Sequence, residues 1–230
     1  MYGSASTWVF NLVQKIAAAT MPDRPVTACF VDDILPPAGE SRGTLVLKTH
    51  ATPLADQLAH DAAGIIITVR DPRDAIASHM LHSKTPFEHA VDITEAAAAT
   101  CARFQSHERA AVFRFEDRFF DDPTTIDRVA AMFDGGLTDP DRKRIFAETR
   151  REKIDAFIAE MHQAPTFRSG FDPITGQDYM YDTVTGWHKH HAGRKAEIGL
   201  WRRELSPRQI SIIEYRLGDL MQSLSYQTGN

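Results

Sequence analysis

Cysteine is nearly absent from this chain, with only Cys29 and Cys101 among 230 residues. Two thiols cannot build a disulfide framework, and they lack the spacing of a zinc site. A reducing cytoplasm is the expected setting. Long apolar runs are missing as well. The run around Ile65-Ile66-Ile67 falls far short of the roughly 18–20 residues that cross a bilayer, so no membrane span is expected. The start, Met-Tyr-Gly-Ser, has no basic segment of the kind that opens a secretory signal. Positive charge is not in excess either. The formal net charge is −5, which argues against general nucleic-acid binding and leaves room for a local basic site. The GxxxxGK[ST] pattern of a Walker A loop is lacking, which argues against a nucleotide kinase. No internal repeat stands out.

What remains is an ordinary globular composition, 43% hydrophobic and 25% charged, over a length that suits one domain spanning 1–230. Apolar spacing predicts a helix over 7–19, with Val9, Leu12, Val13 and Ile16 on one face. Strands are expected at 26–31, 44–48, 64–70 and 111–115. The β-branched run 64–70 reads as a strand buried on both faces of a parallel sheet. Asp71-Pro72 opens a helix, with Asp71 as cap and Pro72 at its first position. Further helices are expected at 89–108, 123–133, 139–149, 152–161 and from Ser206-Pro207 onward. Pro36-Pro37-Ala38-Gly39 reads as a loop. Strand–helix alternation implies an α/β fold with helices on both faces of the sheet. Residues 163–200 show little periodicity and read as a lid or acceptor loop.

Four segments carry possible chemistry. Gly3-Ser4-Ala5-Ser6-Thr7-Trp8 runs small residues into a helix N-terminus, which suits an anion as well as an ordinary cap. Lys48-Thr49-His50 follows a strand, where ligand sites of open α/β sheets lie. It offers a cation and a general base, or two surface polar residues. Arg70-Asp71-Pro72-Arg73-Asp74, with Ser78, offers a guanidinium fork and a hydroxyl for phosphate, or an arginine paired with its own aspartates. Arg194-Lys195 places two cations in a loop. His188-Lys189-His190-His191 invites a metal reading, but no Cys or acidic partner pattern accompanies it, and no metal is expected.

In order, YGSASTW at 2–8, KTH at 48–50, RDPRD with Ser78, FED at 115–117 and RKAEIGLW at 194–201 resemble the PAPS-dependent sulfotransferases. The resemblance spans almost the whole chain and extends to bacterial-type members at the C-terminus. It implies a P-loop NTPase-like, three-layer α/β/α domain with one parallel sheet. It also implies PAPS as donor, PAP as product and no metal. Ser4, Ala5, Ser6 and Thr7 would cradle the 5′-phosphosulfate, and Trp8 would stack on adenine. Arg70, Ser78, Arg194 and Lys195 would hold the 3′-phosphate, with Phe115 and Thr149 on the adenine side. His50 would be the base and Lys48 the catalytic cation. The acceptor would be a small molecule, a carbohydrate or a lipid. Three departures stand out. Gly3 replaces the cation usual in the first loop. Ala196 replaces a glycine. Only two residues precede Gly3, where the family has a central strand, so either the natural start lies upstream or another segment fills the slot.

Overall fold

A computed structural model describes residues 1–31, 43–51, 53–133, 136–192 and 196–229. The expected loop at Pro36–Gly39, and Arg194 and Lys195, lie outside the described residues. In chain order the elements are α1 (Ser6–Thr20), β1 (Val26–Phe30), β2 (Thr44–Lys48), α2 (Ala55–Asp61), β3 (Ile65–Val69), α3 (Pro72–His82), α4 (Phe87–Phe104), β4 (Ala110–Arg114), α5 (Thr124–Ala130), α6 (Asp139–Glu148), α7 (Arg151–Glu160), β5 (Phe167–Asp172), β6 (Gln177–Asp182), α8 (Trp201–Glu204) and α9 (Pro207–Ser223).

The starts of α3 and α9 follow from their sequences. Asp71 accepts a hydrogen bond from the Arg73 amide at 2.9 Å, and Pro72 takes the first turn of α3. Ser206 and Gln209 form a reciprocal capping box on α9. β3 and β4 pair in parallel, Ile65 with Ala110 through Val69 with Arg114. Alternating side chains cover both faces of this pair. Ile66, Ala111 and Phe113 pack toward Leu12 and Ile16 of α1 and Ile126 of α5. Ile67, Val69 and Val112 pack toward Ala97, Ala98 and Cys101 of α4. α9 then lays Ile213, Leu217 and Met221 on Ile76, Ala90 and Val91 of α3 and α4. Among the described residues, no helix is long and apolar enough to cross a membrane.

Two features differ from the sequence reading. The parallel strands form two separate pairs, β1–β2 and β3–β4, rather than one continuous sheet. Met1 and Tyr2 link the pairs without a ladder: the Met1 amine donates to Thr68 O at 2.8 Å, and the Tyr2 ring stacks on His50 just after β2. The second difference is in 163–200, which contains an ordered antiparallel hairpin, β5–β6, pairing Phe167 with Asp182 through Asp172 with Gln177.

That hairpin also exposes a repeat hidden in the sequence. Asp172-x-Ile174-Thr175-Gly176 and Asp182-x-Val184-Thr185-Gly186 fold into matching loops. The Asp172 carboxylate accepts from the Ile174 amide and the Thr175 hydroxyl, both at 2.9 Å. The Asp182 carboxylate accepts from the Thr185 amide and hydroxyl, both at 2.8 Å, from the Val184 amide at 3.2 Å and from the Thr166 hydroxyl. Each loop closes with a glycine at φ 66°, donating to its aspartate's carbonyl at 2.8 Å. Asn11 of α1 donates to Thr185 O at 2.7 Å and holds the second loop against α1.

Asp182 is 2% exposed, and its removal strands several part-buried donors. Asp182→Ala is expected to cost about 2–3 kcal/mol in urea unfolding. Asp172→Ala, in the exposed copy of the loop, is expected to cost about 1 kcal/mol or less. Equal losses at the two sites would contradict this account.

Candidate functional site

The first loop arrives at α1 through two left-handed residues, Gly3 at φ 63° and Ala5 at φ 62°. Ala5 is the N-cap residue and has no side chain with which to satisfy the first-turn amides. These amides have no carbonyl partner within the helix, and they face outward with the positive end of the dipole. The Ser4 hydroxyl takes no part in this array. It donates to Met1 O and shares a 2.7 Å hydrogen bond with Thr68 Oγ1 on β3, fully buried. Only its backbone is left for a cradle. Ser6 is half-buried at the first helical position. Thr7 Oγ1 accepts from Lys48 Nζ at 2.7 Å, which draws the end of β2 to the loop.

His50 follows immediately and is buried, with a Tyr2 ring stacked on it at 3.7 Å and Phe30 at 5.6 Å. Burial holds its pKa well below the usual imidazole value. The positive charges of Lys48, the N-terminal amine, His79 and His188 push it the same way. The imidazole is therefore neutral at pH 7. Its buried Nδ1 has no hydrogen-bond partner among the described residues.

Arg70, at the carboxyl end of β3, is 4% exposed. Nη1 donates to Gly3 O at 3.0 Å and Nη2 to Glu197 O at 2.7 Å, and Asp74 lies 3.7 Å away. The guanidinium carbon lies over the Phe115 ring, 4.2 Å from its centroid, and its buried Nε has no partner among the described residues. Burial lowers its pKa, and Asp74, Glu116 and Asp71 oppose that effect. A Cβ built on Gly3 would lie 3.5 Å from Arg70 Nη1 and 3.9 Å from Ser78 Oγ. Gly3, Arg70 and Ser78 therefore meet at one point. Arg70 and Asp74 do form an ion pair, but the shorter bonds of Arg70 go to carbonyls.

On the far side of α1, Trp8 is buried and donates from Nε1 to Thr149 O at 2.9 Å. Both line a cavity of about 230 Å³, together with Lys15, Lys153, Phe157 and Trp187. The Thr149 hydroxyl is spent on Ile145 O at 2.9 Å, at the end of α6.

Sequence reasoning offered Asp74 only as an ion-pair partner of Arg70 and assigned Glu116 no separate role. Asp74 Oδ2 accepts from the Gly199 amide at 2.7 Å, and Oδ1 accepts from the Trp201 amide at 3.0 Å. Glu116 accepts from the Asp71 amide and from the Tyr226 hydroxyl, both at 2.9 Å, so it is structural. The RDPRD motif that supplied Arg70 already contained Asp74, and the FED segment after β4 contained Glu116. Among the described residues, no three His, Cys, Asp or Glu side chains converge as a metal site.

No family model and no curated protein matches the chain. Solved structures do. The mouse sulfotransferase SULT7A1 complexed with PAP aligns with a TM-score of 0.58 at 12% identity, covering 95% of this chain and 80% of that one. Retinol dehydratase with androsterone and the inactive cofactor PAP aligns at 0.50, and its complex with retinol and PAP at 0.51. Both are 18% identical over 85% of this chain and 57% of their own length. This chain therefore shares the fold of PAP-bound sulfotransferases.

Two measurements test the site. Gly3→Ala, and more so Gly3→Lys, should lose about 1–2 kcal/mol of stability, because φ +63° strains any side chain. Stability equal to wild type would refute the left-handed geometry. The second concerns pH. His50 titrates lower in the folded chain than its unfolded value of about 6.5. Its contribution is present above that value and is lost as pH falls toward the folded pKa. The stability difference between wild type and His50→Gln should shrink as pH drops below about 6.5. A difference flat between pH 7 and 5 would contradict a buried neutral imidazole.

Proposed function

We propose that the chain binds PAPS and transfers its sulfuryl group to a hydroxyl or amine, releasing PAP. The observation that carries this reading is the convergence at Gly3. On one side are the open N-terminus of α1, Thr7 and Lys48, and on the other Arg70 and Ser78. Two anion-binding ends on one short loop suit a nucleotide with phosphates at both the 5′ and 3′ positions. Trp8, Thr149 and Phe115 are the residues we assign to the adenine side. Arg194 and Lys195 join the 3′-phosphate in this scheme, by the family resemblance.

Sulfuryl transfer resembles phosphoryl transfer, in which the moving group is loosely held and alignment does most of the work. The acceptor oxygen or nitrogen attacks sulfur as neutral His50 takes its proton. The S–O bond to the 5′-phosphate breaks, and its electron pair stays on the phosphate oxygen. Lys48 and the first-turn amides of α1 stabilise that charge. Lys48 is the cation available for this role because Gly3 brings none. The acceptor is a small molecule, a carbohydrate or a lipid, and the setting is the cytoplasm.

Gly3 also favours a second reading, a PAP-binding protein without turnover. The two separate in a single experiment. PAP at about 100 times its Kd should stabilise the chain by about 2.7 kcal/mol under either reading. Labelled sulfate should move from PAPS to an acceptor panel only if the chain is an enzyme. His50→Ala should then abolish transfer, and Lys48→Ala should cut the turnover rate by about 10²–10³ while PAP still binds. Stabilisation by ATP–Mg²⁺ and none by PAP would sink both readings.

A further inference from the structure

We infer that Asp74 is a positioning residue that sets the 3′-phosphate end of the site by holding the segment after residue 195 against Arg70. This rests on the nucleotide reading above. Asp74 is 1% exposed on the first turn of α3, with its carboxylate fully engaged. Oδ2 receives the Gly199 amide and Oδ1 the Trp201 amide, while Arg70 Nη2 stands 3.7 Å from Oδ2. The same Arg70 Nη2 donates to Glu197 O at 2.7 Å. A closed ring of contacts results. Asp74 holds 199 and 201, the segment brings the 197 carbonyl to Arg70, and Arg70 returns to Asp74.

The ring fixes two things at once. It helps aim a buried guanidinium that Gly3 O and the Phe115 ring also hold. It also anchors the segment from Glu197 to Trp201 against the end of β3. No other residue type serves both ends. A carboxylate offers two acceptor oxygens and a charge, and here all are used. Asparagine keeps the shape but turns an NH₂ toward one of the two amides, donor against donor, and removes the charge opposite Arg70. Glutamate would push the segment outward by a methylene.

The test compares PAP with adenosine 5′-monophosphate, which lacks the 3′-phosphate. Asp74→Asn should weaken PAP binding on the order of 10–100-fold and leave adenosine 5′-monophosphate affinity unchanged. The unchanged ligand reports that the variant is folded. Trypsin should cut after Arg202 and Arg203 faster in the variant than in wild type. Gly199→Ala provides a route that leaves the buried charge alone. Gly199 sits at φ +80°, and a Cβ there would strain the turn that presents both amides. It should show the same selective loss for PAP, to a smaller degree.

Equal loss for both ligands would overturn the inference, because Asp74 would then serve only stability. Undiminished PAP affinity in both variants would overturn it as well. If wild type binds no PAP, the nucleotide reading falls by itself. Trypsin then decides the tether, and cleavage unchanged by either substitution overturns it.

Discussion

Burying an arginine charge is costly unless its donors are answered, and this requirement at Arg70 organises the site. Arg70 emerges from the end of β3 into an interior that exposes 4% of it. Two of its donors find carbonyls, at Gly3 and Glu197, which come from opposite ends of the chain. Its flat face finds Phe115. Asp74 supplies the counter-charge from one turn further along. Each partner is therefore constrained in turn. The first loop must present its carbonyl inward, the late segment must pass close by, and β4 must end on an aromatic ring.

The inward turn of the loop accounts for Gly3. A side chain at φ +63° is strained, and a cation there would stand against the Arg70 guanidinium, charge against charge. Family resemblance alone makes the missing lysine look like a defect. The geometry makes it a consequence of where Arg70 points. In the proposed function the work of that cation falls to Lys48, whose ammonium is fixed on the loop through Thr7.

Much of the fold was legible in the sequence because its elements bury regular stripes. α1 showed its face through Val9, Leu12 and Ile16, and β3 through an unbroken β-branched run. Asp71-Pro72 announced the start of α3 by its chemistry. The hairpin β5–β6 escaped because it is not held by an apolar stripe. It is held by aspartate–threonine–glycine loops, whose ten-residue spacing is obscured by Ile174 against Val184 and by differing flanks. The role of Ser4 escaped for another reason. A serine before a helix looks like an anion donor, yet its hydroxyl is taken by Thr68, 64 positions away, a partner that only the packing reveals. Asp74 was visible as a charge near Arg70 but not as an acceptor for amides 125 and 127 residues later.

The charges around His50 draw these constraints together. Burial lowers its proton affinity most, and Lys48, the N-terminal amine, His79 and His188 act the same way. A base so depressed is a weaker base, which costs proton-transfer driving force. It gains constant availability, since it is not consumed by protonation near neutrality. The trade is favourable only where the proton leaves late, from an acceptor whose bond to sulfur is already forming. The same positive field lowers the energy of an anionic donor in the cleft and of the charge that develops on its departing oxygen. In the proposed function, burial keeps the base neutral and the nearby positive charge, which acts in the same direction on His50, also serves the leaving group.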